Sequence, residues 1–227
     1  MRKLVLFDID ATLVLTGGAG LRAMNRSCAD LVGHGRALDG IPVAGRTDRV
    51  ILSDVVRRIG RELDQGLLAT LREGYVAHLE EEIQHAGHGA KGVLPGVVPL
   101  LEGLAERDDV LLGLVTGNFE AGARIKLRYF DLWRYFRCGA FADDAADRNE
   151  LVPFAVARAR GCGLQEVAPR DVLVIGDTPH DIACAKVVGA TAVGVATGGF
   201  TVDELRNSGA DVVFEDLSDT DAFLRIL

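Results

Sequence analysis

The chain has 227 residues, of which 48% are hydrophobic, with a formal net charge of -8 and a pI of about 5.1. That length suffices for one large α/β domain or one domain carrying an insertion. The acidic balance argues against nucleic acid and anionic membrane as partners, since both need a basic face, but leaves room for a small anion that feels only the local potential of a pocket.

No apolar run approaches a membrane span. Met1-Arg2-Lys3 and the four apolar residues after it are too short for a signal peptide. Cys28, Cys138, Cys162 and Cys184 are scattered without a CxxC pair and read as reduced core thiols of a cytoplasmic protein.

The first element is an apolar run over residues 4–7 that ends in Asp8-Ile9-Asp10. It reads as a buried parallel strand. In open α/β sheets ligands sit beyond the carboxyl ends of the strands, and residues two apart on an extended chain point the same way. Asp8 and Asp10 can therefore enter one crevice, where they repel each other unless a cation or shared proton intervenes. Asp8, ionised at neutral pH, is a candidate nucleophile toward phosphorus. Asp10 is the candidate acid for the leaving oxygen and base for the attacking water. A solvated strand end accounts for the same pair of letters.

The next strand signal, residues 110–115, lies roughly 100 residues on, several times a normal crossover. The intervening content is helical. Leu63, Leu67, Leu71, Val76, Leu79 and Ile83 recur near helical spacing; Val50, Ile51, Val55, Val56 and Ile59 form a second stripe, and residues 21–32 a third. The pattern predicts an all-helical insertion over residues 15–93, with the main domain made of 1–14 and 94–227. Gly17-Gly18 on entry and the glycines at 92 and 96 on exit read as hinges or as ordinary loop punctuation. Pro95 and the apolar Val97, Val98, Leu101 and Leu104 restart the main domain as a helix.

Residues 110–115 end in Thr116-Gly117-Asn118, with a helix from Glu120 onward. Thr116 offers a hydroxyl, Gly117 lets a ligand approach the backbone, and the free amides of a helix start can hold an anion. Asn118 is equally suited to cap that helix. Arg148 is the only basic residue between Arg137 and Arg158. It can fork onto a phosphate or pair at the surface with Asp143, Asp144 or Asp147. A third strand, residues 172–175, runs into Gly176-Asp177-Thr178-Pro179-His180-Asp181. Thr178 fits an N-cap, Pro179 the first helical position, and Asp181 the third, as in a capping box. Asp177, at a buried strand end, needs a partner. Mg²⁺ among Asp8, Asp10, Asp177 and Asp181 would relieve both acidic clusters. His180 is expected to face solvent, and His34, His78, His85 and His88 have no assigned role. Residues 192–195 and, more weakly, 210–214 complete a parallel sheet with helices on both faces.

Taken in this order, the elements resemble the haloacid dehalogenase superfamily of phosphohydrolases. Its DxDx(T/V) motif is matched by Asp8-Ile9-Asp10-Ala11-Thr12, its strand ending in Ser or Thr by Thr116, and its GDxxxD motif by Gly176 through Asp181. The insertion looks like the helical cap of the phosphoglycolate phosphatase and β-phosphoglucomutase branches, which closes over substrate. Gly45-Arg46-Thr47-Asp48 resembles the start of a cap helix there, which makes Arg46 a candidate contact from the cap. Two positions depart from the pattern: Ala11 replaces the usual Gly, and Arg148-Asn149, set by Pro153, replaces the usual Lys.

The resemblance implies a Rossmann-like core and a Mg²⁺-dependent phosphatase, phosphoglycolate phosphatase-like, acting on a small phosphorylated metabolite through an aspartyl-phosphate on Asp8. Thr116, Gly117, Asn118 and Arg148 would bind phosphate. A phosphomutase of the β-phosphoglucomutase type and a weakly catalytic phosphoacceptor are the alternatives. Dehalogenation fits less well, because Asp10 and the Asp177/Asp181 pair suit metal-assisted phosphoryl chemistry. The chain is expected to be a monomer or homodimer.

Overall fold

The computed structural model describes residues 3–164 and 166–227. The chain opens with β1 (Lys3–Phe7) and passes through a two-stranded antiparallel ribbon, β2 (Val14–Thr16) and β3 (Lys91–Val93), that brackets a helical insertion. It then supplies β4 (Val110–Val115), β5 (Cys138–Ala140), β6 (Val172–Gly176), β7 (Thr191–Val195) and β8 (Val212–Phe214). With β1 these form a parallel sheet in the order β5-β4-β1-β6-β7-β8. From β1 the chain builds outward through β4 and β5, then returns to the other side for β6, β7 and β8. The strand order therefore reverses between β1 and β6, the place where such sheets open a ligand crevice.

The insertion contains α1 (Ala19–Val32), α2 (Asp48–Arg58) and α3 (Gln65–Glu82). Thr47 caps α2 by accepting from Val50 N at 3.3 Å, and Asp64 caps α3 by accepting from Leu67 N at 2.8 Å. Ala23, Met24 and Cys28 of α1, Ile51, Leu52, Val55 and Val56 of α2, and Leu71, Tyr75 and Leu79 of α3 form a separate buried cluster. Ile59, expected in the α2 stripe, lies past the helix end and is exposed. Arg22 and Arg26 tie α1 to the end of α3, donating to Glu82 at 2.6 and 2.8 Å.

The insertion is not helical throughout. Its ends pair as Val14↔Val93, Leu15↔Gly92 and Thr16↔Lys91. Strands this short leave no alternation for a periodicity reading to detect. Gly17 and Gly18, at φ 62° and 76°, turn the ribbon into α1, so they serve as a turn at that end.

The main domain packs helices on both sheet faces. Val5 and Phe7 face α4 (Val97–Ala105), α5 (Glu120–Tyr129) and α9 (Thr220–Leu224). Leu4 and Leu6 face α6 (Leu151–Gly161) and α7 (Pro179–Val187), while α8 (Val202–Asn207) packs beside β7 and β8. Burial on both sides explains why β1 reads as a continuous apolar run rather than an alternating one. β5 escapes a sequence reading because Cys138-Gly139-Ala140 has little strand propensity. Cys28 and Cys184 are buried, Cys138 is half-buried and Cys162 is exposed, so the expectation of core thiols holds for the first two. Among the described residues no helix is long and apolar enough to cross a membrane.

A tight turn follows β1. Leu13 N and Val14 N both donate to Ile9 O, at 2.9 and 3.1 Å, and Ala11 N donates to Val14 O at 2.9 Å. This holds Ala11 at φ 58°, in the left-handed region. An L-residue there costs roughly 1–2 kcal/mol, part of which glycine would return as unfolded-chain entropy. Ala11→Gly is therefore expected to stabilise the fold by about 0.5–1 kcal/mol, read as a midpoint shift in urea unfolding. A destabilised variant would mean that the Ala11 methyl packs favourably.

Candidate active site

A cavity of about 460 Å³ opens at the carboxyl edge of the sheet, between β1, β4 and β6 and the insertion. Asp8 follows β1 directly and Asp177 follows β6 directly, so the two carboxylates flank the strand-order reversal. Asp8 N donates to Ile175 O at 2.9 Å, which pins the end of β1 against β6. Thr116, Gly117 and Asn118 enter from the end of β4, and Arg148 from the turn preceding α6.

Arg148 is buried, with one nitrogen 3.0 Å from Asp8 Oδ1 and an ion pair to Asp181. Its Nη1 donates to Gly45 O of the insertion at 3.2 Å, and its buried Nε has no hydrogen-bond partner among the described residues. The surface pairing with Asp143, Asp144 or Asp147 does not form. Asp144 takes Arg158 instead, and Asp143 takes Arg72 of the insertion. Burial works against the charge on Arg148, but Asp181 and Asp8 outweigh it and keep the guanidinium protonated.

Asp181 completes the capping box of α7: its Oδ2 accepts from Thr178 N at 3.0 Å and Thr178 Oγ1 at 2.7 Å, while its Oδ1 faces Arg148. The capping-box reading of this residue is realised on one oxygen, and the other pairs with Arg148. Asp177 has a weaker partner, the Thr12 hydroxyl at 3.3 Å. Burial, then Asp8 and Asp181, push its carboxyl up to about 8 against the pull of Arg148. Asp8 is raised to about 6 by burial, with Arg148 opposing and Asp181 and Asp10 adding to the rise. The Thr116 hydroxyl hydrogen-bonds Asp8 and lowers it slightly. His180 is exposed, as expected.

Asp10 stands apart from this group. Its carboxylate receives Lys126 Nζ at 2.6 and 2.8 Å and Asn118 Nδ2 at 2.8 Å, and Lys126 also donates to Asn118 Oδ1 at 2.6 Å. Expected among metal ligands, the Asp10 side chain is instead neutralised by lysine. Lys126 is only 4% exposed and was not singled out from the sequence. The signal existed: Ala123, Lys126 and Leu127 share the buried stripe of α5, where a lysine needs a reason to be.

Asn118 does not cap α5. The helix start is satisfied by carboxylates from elsewhere: Phe119 N donates to Asp48 Oδ2 at 2.9 Å and Glu120 N to Asp143 Oδ2 at 2.7 Å. Anions do sit at this N-terminus, but they belong to the protein. Asp48 is buried at the start of α2; burial raises it to about 7, against Lys126 and the Phe119 amide. The close approach at Gly117 is likewise internal. A Cβ there would lie 2.2 Å from Arg46 O, and Gly117 O accepts from Asp48 N at 2.7 Å. Thr47 Oγ1 adds a bond to Ala146 O at 2.7 Å. The Arg46 side chain borders the cavity but is engaged within the insertion, with Asp54 at 2.6 Å and Pro42 O at 2.8 Å.

Residues 5–186 match the family model described as haloacid dehalogenase-like hydrolase. The chain belongs to the haloacid dehalogenase-like hydrolase family. It is 28% identical to a probable phosphatase, IndB, of Dickeya dadantii strain 3937, over 96% of this chain and 92% of that one. It is 27% identical to phosphoglycolate phosphatase 1 of Pseudomonas aeruginosa, over 86% and 70% of the two chains. The crystal structure of a hydrolase from Pseudomonas syringae superposes with a TM-score of 0.71 at 24% identity, covering 99% and 98% of the two chains. That likeness shows that the two chains share one fold over nearly their whole lengths.

Whether this hydrolase can hold a divalent cation is judged from its donors. Oxygens of Asp8, Asp177 and Asp181 all lie within 4.8 Å of one another. Were all three ionised, the one guanidinium of Arg148 would leave two negative charges unmatched, which is why Asp177 holds its proton without a cation; Asp10 is balanced separately by Lys126. An all-oxygen set with that deficit fits Mg²⁺.

The same deficit sets a pH dependence. Folded Asp177 keeps its proton up to about 8, whereas the unfolded residue releases it near 3.8. The folded state therefore binds more protons in that window, and stability without metal falls as pH rises through it. A cation neutralising the cluster offsets that loss. The rise in Tm on replacing EDTA with excess MgCl₂ is expected to be larger at about pH 8.5 than at about pH 5.5. Equal or absent shifts would argue against a metal at these carboxylates.

Proposed function

We propose that this chain is a Mg²⁺-dependent phosphatase that hydrolyses a small phosphate monoester through an aspartyl-phosphate on Asp8. The observation that carries the reading is a buried carboxylate, Asp8, held at the sheet's strand-order reversal by Arg148 and bordered by the under-neutralised Asp177 and Asp181. The phosphatase names of relatives matched over 92% and 70% of their lengths, the second a phosphoglycolate phosphatase, support it. A cytoplasmic location fits four unpaired thiols.

Asp8 supplies the nucleophile: one of its oxygens forms the bond to phosphorus as the bond to the ester oxygen breaks. Arg148 positions Asp8, and its unpaired Nε offers a further donor to a phosphoryl oxygen. The Thr116 hydroxyl and Asn118 complete the phosphate side. Asp10 gives its proton to the departing alkoxide, is left as the carboxylate that Lys126 pairs with, and takes a proton back from the water that hydrolyses the acyl phosphate. Asp8, Asp177 and Asp181 would hold a Mg²⁺, which would supply charge neutralisation for the phosphoryl group. The insertion, seated on Gly117 and α5, acts as the cap that keeps bulk water from this chemistry.

Lys126 is a positioning residue in this scheme, because it aims Asp10 without touching the reacting atoms. Phosphate release from at least one member of a panel of esters, 2-phosphoglycolate, hexose phosphates and an aryl phosphate included, is expected with Mg²⁺ and lost with EDTA. Asp8→Asn is expected to lower turnover at least about 1,000-fold, and full turnover by that variant would refute the assignment. Lys126→Met is expected to lower kcat about 10- to 100-fold with KM little changed and to distort the pH–rate profile. A loss confined to KM would place Lys126 in substrate binding instead.

A further inference from the structure

The cavity has two unlike ends. Its main-domain end carries the carboxylates, Thr116, Asn118 and Arg148. Its insertion end is lined mostly by hydrocarbon, from Leu15, Leu21, Met24, Val43 and Ile51, with Thr16, Asp48 and Tyr75 among them. Met24 and Ile51 are otherwise part of the insertion's buried cluster, whereas Leu21 stands at the rim with 47% exposure. Against this mostly hydrocarbon wall a hydroxyl-rich alcohol would find few partners, the Thr16 and Tyr75 hydroxyls among them, and most of its polar groups would lose water without replacement.

Nor is a second anion provided for. The cations lining the cavity are Arg46, Lys126 and Arg148, and each is already held: by Asp54, by Asp10, and by Asp8 with Asp181. Beside Arg46 the insertion also brings an acid, Asp48, to the cavity. A carboxylate on the leaving group would meet that acid and would have to break an existing pair to find a partner.

We propose that the alcohol released in this cavity is largely apolar and uncharged, of the size of an aromatic ring or short branched alkyl group, rather than a hydroxy acid or a sugar. This rests on the reading of the cavity as a phosphomonoester site. Its volume of about 460 Å³ has room for such a group beside the phosphoryl end. The Met24 thioether and the Leu21, Val43 and Ile51 side chains make an adaptable wall for a flat or branched hydrocarbon.

Binding of two stable analogues to the intact chain with Mg²⁺, measured calorimetrically, tests the proposal without turnover. Phenylphosphonate is expected to bind at least about tenfold tighter than phosphonoacetate, which carries a carboxylate in place of the ring. Leu21→Arg, at an exposed rim position that tolerates charge, is expected to narrow or reverse that ratio. Equal binding, a preference for phosphonoacetate, or a ratio unmoved by Leu21→Arg would overturn the proposal. If phenylphosphonate is preferred but no phosphate ester is hydrolysed, the ligand class stands and the phosphatase reading fails. If neither analogue binds, both fall.

Discussion

Everything at this site depends on keeping Asp8 in a buried, crowded place as a usable anion. Burial pushes it toward its protonated form, and Asp181 and Asp10 press in the same direction. Arg148 opposes all three effects because it reaches Asp8 and Asp181 together from a fully enclosed position. Removing that guanidinium would leave uncompensated buried charge, which costs far more than losing a surface pair. The turn before α6, the capping box of α7 and the end of β1 are fixed relative to one another by this one side chain.

A second balanced unit lies beside the first. Lys126, Asp10 and Asn118 form a closed set of hydrogen bonds on the α5 side. Separating the charges into two groups gives neighbouring aspartates different environments within three residues of sequence. Asp8 sits among acids with one shared cation, and Asp10 has its own. That is the arrangement by which two carboxylates of one strand end can take different chemical parts.

The strand ends were legible because each couples an apolar run to an abrupt acid or hydroxyl, and three of them converge on one crevice: Asp8, Thr116 and Asp177. The helices of the insertion were legible from their stripes. What was not legible needed tertiary context. Lys126 is written in the middle of a helix among ordinary amphipathic letters, and only packing shows that it faces inward. Asp48 looked like an acid in the first turn of its own helix, and its service to Phe119, 71 residues on, cannot be read from spacing. Asn118 had the letter of a cap, but Asp48 and Asp143 had already taken the amides it would have bound near. Ribbon strands of three residues carry no period.

Among the contacts that seat the insertion on the main domain, two differ in physical kind. At one end Asp48 is buried against the Phe119 amide and the backbone of Gly117. At the other, Arg72 meets Asp143 with 46% and 27% of their side chains in solvent. Dissolved ions screen the second over a Debye length of about 8 Å at physiological ionic strength, and reach the first hardly at all. Rising salt therefore weakens the Arg72–Asp143 pair while the Asp48 end stays fastened, and α3 remains held on α5 by the buried packing of Tyr75 against Phe119. The insertion's seat thus outlasts the loss of its exposed ion pair, because what salt removes is the smaller part of what holds it.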